Sequence, residues 1–199
     1  MKKILILGLF ILAAIGVDAQ GYQIGDEAAD FKLKNVDGKQ VSLADYEDAK
    51  GFVVIFTCNH CPYSVAYEDR IIEIDKKYKL MGFPVVAINP NDPAIMPGDS
   101  FENMKKRSME KGFTFPYLFD AKQEVFKVYG ATKTPHVYIL SKKVGKLKVE
   151  YIGTIDNNFK NANKVTQAYV ADAIDALLKH ETPPLTTTKA IGCSIKTKK

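Results

Sequence analysis

Hydrophobic and polar residues are arranged along this chain in three patterns, and each predicts a different element. Phe31-Lys32-Leu33-Lys34 alternates, Asp37-Gly38 is a turn signal, and alternation resumes from Lys39 to Leu43, which predicts an N-terminal β-hairpin. Gly51 to Phe56 is an unbroken apolar run, the mark of a short strand buried on both faces. Tyr67, Ile71, Ile74 and Tyr78 then recur at helical spacing through a charged background, predicting an amphipathic helix from Pro62 to Leu80. Phe83 to Ile88 is a second buried strand. Pro93 and Pro97 mark the stretch from Pro90 to Gly98 as an irregular loop. Asp99 with Glu102 has the spacing of a capping box, opening a helix that Gly112 would end. Val125 to Tyr129 reads as a short helix closed by Gly130. His136 to Leu140 and Leu147 to Ile152 read as strands joined by a turn through Gly145. Val165, Tyr169, Ala173, Ile174, Leu177 and Leu178 line one face of a last helix. Strands separated by helices, with one late hairpin, predict a mixed sheet in an α/β layer fold.

Composition narrows the picture only a little. The 199 residues are 46% hydrophobic and 26% charged, enough for one domain with its own core. The net charge of +5 is mild, and only Arg70 and Arg107 among the 28 basic residues are arginine. A bidentate phosphate-reading surface is therefore not expected, nor is a nucleic-acid partner.

The first residues follow a different plan from the rest. Lys2 and Lys3 precede an apolar run from Ile4 to Ile15, and short residues at 17 and 19 follow. This is the layout of a secretory signal peptide over 1–19, cleaved between Ala19 and Gln20. The run is too short to span a bilayer as a helix, so an exported, periplasmic or secreted protein without stable membrane insertion is expected. Its charge without residues 1–19 is +4, since Lys2, Lys3 and Asp18 are lost. In an oxidising compartment a close cysteine pair is structural, catalytic or metal-bound rather than idle.

The cysteines stand at 58, 61 and 193. Cys58-Asn59-His60-Cys61-Pro62 falls where a buried strand meets a helix start. The first N–H groups of a helix lack internal partners and carry the positive end of its dipole, so a thiolate there is stabilised. The expectation is an exposed, low-pKa Cys58 with Cys61 shielded one turn inside. His60 adds a titratable positive charge beside both sulfurs. Pro62 suits the first helical turn, where its missing N–H costs nothing. A structural disulfide across so small a loop would add little stability. Zinc lacks a second cysteine pair to complete its ligands. No cofactor and no metal are expected.

Lys133-Thr134-Pro135-His136 directly precedes the strand from Val137 to Leu140. Proline at the start of a central strand is costly unless its missing donor is useful. After a strand–CxxC–helix this resembles the cis-proline loop of the thioredoxin fold. That resemblance implies that Thr134 turns its backbone towards the cysteines, where a substrate peptide can pair with it.

Taken together, Thr57-Cys58-Asn59-His60-Cys61-Pro62-Tyr63, Thr134-Pro135, Gly153-Thr154-Ile155-Asp156-Asn157 and Gly192-Cys193-Ser194-Ile195-Lys196 resemble the peroxiredoxin-like, thioredoxin-fold proteins of the redoxin (AhpC/TSA) superfamily. The resemblance runs over about residues 22 to 196. It implies an α/β thioredoxin-like fold, with a central mixed β-sheet flanked by helices and an N-terminal β-hairpin. The thioredoxin-like domain would span 20–182, followed by a tail, 183–199, that carries Cys193. Two departures bear on function. A peroxiredoxin has proline and threonine at fixed distances before its reactive cysteine. Counted from Cys61 those positions hold Val54 and Cys58; counted from Cys58 they hold Gly51 and Ile55. A thioredoxin has tryptophan before its motif and an acid in the preceding strand, whereas this chain has no tryptophan and no acid from Phe52 to Phe56.

The leading expectation is thus a thiol–disulfide oxidoreductase using Cys58 and Cys61, supported by His60, Thr134 and Pro135. Its partners would be a protein or small-molecule disulfide or thiol and a redox partner that regenerates the pair. The alternatives are a thiol peroxidase and a copper-handling module in which His60 or His136 joins the two sulfurs. For Cys193, apolar Ile191 and Ile195 predict a segment that returns to the body, and the thiol itself is expected to take no part in turnover.

Overall fold

The computed structural model describes residues 21–198, so the expected leader and its cleavage point lie outside the described residues. Among the described residues, ten strands run in chain order: β1 (Glu27–Ala28), β2 (Lys32–Asn35), β3 (Gln40–Ser42), β4 (Gly51–Phe56), β5 (Val85–Asn89), β6 (Tyr117–Phe119), β7 (Lys133–Thr134), β8 (His136–Lys143), β9 (Lys146–Gly153) and β10 (Cys193–Ser194). Four α-helices accompany them: α1 (Pro62–Tyr78), α2 (Phe101–Lys111), α3 (Val125–Tyr129) and α4 (Tyr169–Leu178). Eight strands form one sheet in the order β1-β9-β8-β4-β5-β6-β2-β3, while β7 and β10 pair separately. The sheet is mixed: β4, β5 and β6 are parallel neighbours, and β8 is antiparallel to β4.

The apolar run in β4 is fully buried because the sheet is covered on both faces. Val53 and Ile55 face a core shared with Ile71 of α1, Met104 of α2 and Ile174 of α4. Phe52, Val54 and Phe56 face the opposite core, with Phe126 and Tyr129 of α3 and with Phe31 and Leu43. Each large side chain so buried contributes roughly 1.5–3 kcal/mol of transfer free energy. Both hairpins form. β2 and β3 turn at Gly38, and β8 and β9 turn at Val144-Gly145, where both residues take the positive φ of a two-residue primed turn. No described helix is long and apolar enough to cross a membrane.

Two boundaries differ from the sequence expectations. The last helix begins at Tyr169 instead of Val165 because the Asn157 side chain takes the backbone N–H groups of Thr166 and Gln167, holding that segment out of the helix. Asp99 does not open α2. Ser100 is its N-cap, accepting from the Asn103 N–H, and Gly112 closes the helix in the left-handed region as expected. Asp99 is spent elsewhere.

Candidate active site

The topology brings the two singled-out segments together. In the β4–β8 pair, Phe56 lies opposite His136. Continuing that antiparallel register two residues beyond each strand sets Cys58 opposite Thr134. Cys58 Sγ lies 3.2 Å from Thr134 Oγ1, and Cys61 Sγ lies 3.1 Å from the Thr134 carbonyl oxygen. The Thr134–Pro135 peptide is cis. Cys61 is the N-cap of α1 and Pro62 its first residue, so the second sulfur stands where the helix has unpartnered N–H groups.

The two residues between the cysteines are fixed by the loop before α2. The Asn59 N–H donates to Asp99 Oδ1 at 2.8 Å, and Asn59 Nδ2 donates to the Gly98 carbonyl. His60 Nδ1 is 2.6 Å from Asp99 Oδ2, which also accepts from Asn91 Nδ2 at 2.7 Å. Asp99 is fully buried, so this His–Asp pair is largely shielded from solvent on its acid side. A ring nitrogen of His60, a carboxylate oxygen of Asp99 and Cys58 Sγ lie within 4.8 Å of one another. Sequence reasoning placed Asp99 at a helix start, and no local signal marks it as the partner of a residue 39 positions away.

Electrostatics divides the cysteines differently from the sequence expectation of an exposed Cys58. Both are buried, Cys58 at 3% and Cys61 at 0% exposure, because Cys58 faces Thr134 and the C-terminal tail covers Cys61. The Cys61 thiol is pulled down to about 4, chiefly by the Cys58 thiol donating to it, against the opposing effect of burial. The Cys193 thiol and the Ser64 backbone N–H add to the lowering. Cys58 is pushed up because its proton is engaged with Cys61; burial and the Asp99 carboxylate push the same way. The Thr134 carbonyl opposes a charge on Cys61, but two thiol donors and the start of α1 outweigh it.

Cys193 is the third sulfur of the site. β10 pairs antiparallel with β7, with Cys193 opposite Thr134, and Cys193 Sγ is 2.7 Å from Cys61 Sγ. The tail returns to the body, as its flanking isoleucines suggested. The thiol expected to take no part in turnover is in contact with Cys61. Burial and its bond to Cys61 raise Cys193 to about 11.

His136 is not among the residues brought to the sulfurs. It is buried against the Tyr138 ring, its Nδ1 accepts from the Thr132 N–H, and burial lowers it to about 4. The copper arrangement through His136 therefore loses its ligand. Among the described residues, the cluster with spacing for a metal is Cys58, His60 and Asp99, whose members already satisfy one another or hold a proton.

Known proteins bear this picture out at the level of family and fold. A solved structure from Geobacillus kaustophilus, described as an uncharacterized conserved protein, is 40% identical with a TM-score of 0.82, covering 90% of this chain and 94% of that one. The thiol-disulfide oxidoreductase ResA of Geobacillus thermodenitrificans is 28% identical over 152 residues, 75% of this chain and 80% of the relative. The exposed lipoprotein thioredoxin Etrx1 of Streptococcus pneumoniae, at 22% identity, has a TM-score of 0.56 over 76% of this chain and 99% of its own, which shows the fold. The AhpC/TSA family profile matches residues 24–151. The chain belongs to the AhpC/TSA family and carries it on an α/β thioredoxin-like fold.

Proposed function

We propose that the protein is a thiol–disulfide oxidoreductase whose redox couple is Cys58 and Cys61, exported to an oxidising compartment. One observation carries this reading: both sulfurs of the CxxC meet the same residue, Thr134 before the cis-proline, one through its side chain and one through its carbonyl. The ResA relative supports the reaction class, and the Lys2-Lys3 and Ile4-to-Ile15 pattern supports export.

In this mechanism the Cys61 thiolate attacks a substrate disulfide, forming a mixed disulfide and releasing the substrate's second sulfur. Cys58 then attacks Cys61 Sγ, closing the 58–61 disulfide and releasing the remaining substrate thiolate. That second step requires Cys58 to lose the proton that its surroundings hold, and His60, oriented by Asp99, is the base within reach. The sequence expectation had the two cysteines in exchanged roles. The helix start and the neighbouring thiol donors favour the charge on Cys61 instead.

Replacing His60 by alanine should slow resolution about 10²-fold, the lower end for a lost general base. The mixed disulfide should accumulate while the Cys61 thiolate persists at pH 6. Quenched-flow mass analysis follows both; unchanged resolution would remove His60 from the mechanism. Turnover of a model disulfide by the wild-type protein, lost in Cys61→Ser, is the basic test of the function.

The peroxidase reading is favoured by the family and opposed by the residues before the cysteines, which lack the proline and threonine that position a peroxide. Loss of a placed transition-state donor costs about 10²–10³ in rate. The second-order rate with hydrogen peroxide should fall below that of dedicated peroxidases by this factor, and a comparable rate would reverse the ranking.

A further inference from the structure

The C-terminal segment is tied down along its length. Ile152 donates to the Thr186 carbonyl and accepts from the Thr188 N–H, so the segment first runs beside β9. It then reaches the cis-proline loop, where β10 pairs with β7 and the Ile195 N–H donates to the Thr132 carbonyl. Beyond that, Lys196 donates its N–H to Asn91 Oδ1 at 2.8 Å, and its carbonyl accepts from the Asp92 N–H and from Gln123 Nε2. Asn91 also donates to Asp99 Oδ2, so one amide links the tail to the His60–Asp99 pair.

Gly192 shows how close this approach is. A Cβ there would stand 2.2 Å from the Thr134 carbonyl oxygen and 2.7 Å from its carbon, both backbone atoms that cannot step aside. Glycine at 192 is what lets the tail lie against the loop. The result is an extended strand antiparallel to Thr134, presenting a thiol to Cys61.

From this geometry we infer that the C-terminal segment is a tethered substrate of the Cys58–Cys61 pair, and that Cys193 is a third redox-active cysteine which exchanges with Cys61. The inference rests on the redox reading of that pair. The exchange balances within the chain. Cys193 sulfur attacks Cys61 Sγ in the 58–61 disulfide, the 61–193 bond forms, the 58–61 bond breaks, and the electron pair leaves on Cys58 Sγ. The proton lost by Cys193 ends on Cys58, where burial and the nearby Asp99 carboxylate oppose a charge. No external oxidant or reductant is consumed. Of the three sulfurs, Cys193 belongs to the one residue that is not fully buried. Exchange therefore carries the disulfide from the interior towards solvent.

The test uses the full chain with Cys58→Ser, oxidised in glutathione buffers, acid-quenched and mapped by mass. The expected product is an intramolecular 61–193 disulfide with little glutathione adduct at either cysteine. Adding Gly192→Ala keeps both thiols and lifts the tail from the loop. It should shift the ratio of crosslink to adduct at least about tenfold towards the adduct, since a merely flexible tether gives only a millimolar effective concentration. Glutathione adducts in place of the crosslink, or a ratio unmoved by Gly192→Ala, would overturn the proposal. Turnover of a small disulfide by wild-type protein reports on the Cys58–Cys61 pair separately, so failure of the pair and failure of the tail are told apart.

Discussion

Cys61→Ser should abolish disulfide exchange, lowering insulin-disulfide turnover on the order of 10⁴-fold or more, as removal of a nucleophile does elsewhere. The same variant should lose the ultraviolet absorbance of the thiolate at pH 6, because burial and the Asp99 carboxylate still oppose a charge on Cys58 and burial opposes one on Cys193. Cys58→Ser should keep a thiolate signal, and with Cys193→Ser added it should stop turnover and trap the mixed disulfide on Cys61. The pH profile has a defined sign. With Cys61 near 4, its thiolate is fully present above about pH 5, so the attack step should be flat from there to neutrality and fall below pH 4. A thiolate that survives Cys61→Ser and disappears in Cys58→Ser would restore the roles read from sequence. Absorbance is the right probe because it does not depend on reagent reaching a buried sulfur.

The second large effect concerns the frame that holds α1. Arg70 donates from Nη1 to Asp156 Oδ2 at 2.5 Å and to the Asn158 carbonyl, and from Nη2 to the Phe159 and Ala66 carbonyls. Asp156 is buried, and its other oxygen accepts from Tyr67 and from the Asn158 N–H. Arg70→Met would leave a buried carboxylate without its counter-charge, which costs about 3–5 kcal/mol. For a chain of this size the melting temperature should fall by roughly 10 °C, at 2–4 °C per kcal/mol. Thermal unfolding followed by circular dichroism checks this. A fall of less than about 2 °C would mean that water replaces the guanidinium, and the pair would then be a surface contact of the weak kind.

This pair also explains why Gly153-Thr154-Ile155-Asp156-Asn157 was conspicuous in the sequence. Asp156 ties the loop after β9 to α1, and Asn157 shapes the run before α4. Neither touches the cysteines.

What the sequence made legible was what local pattern encodes. The β4 run, the helix that follows it, both hairpins and the cysteine pair at the strand–helix junction all appear near their expected places. Even the meeting of Cys58 with Thr134 follows once β4 and β8 are known to be antiparallel neighbours. Three things were hidden for physical reasons. β1, β7 and β10 are two residues each, too short to show a period, and exist only because a neighbouring strand pairs with them. Asp99 has the spacing of a helix cap, but a buried position beside His60 and Asn91 claims its carboxylate first. Cys193 lies 132 positions from Cys61; Ile191 and Ile195 predict a return to the body, but no local pattern says where on it the thiol docks. Burial of the CxxC was hidden with it, since the covering tail is what removes Cys61 from solvent.

Redox equilibration of the wild-type protein across a series of glutathione ratios, with acid quenching and disulfide mapping at each point, decides whether Cys58 and Cys61 form the redox couple. The expected result is a reversible two-electron transition in which the Cys58–Cys61 disulfide appears and disappears, with any crosslink to Cys193 also made through Cys61. Thiols at Cys58 and Cys61 that stay reduced at every ratio, or a disulfide set that leaves Cys61 out, would contradict it.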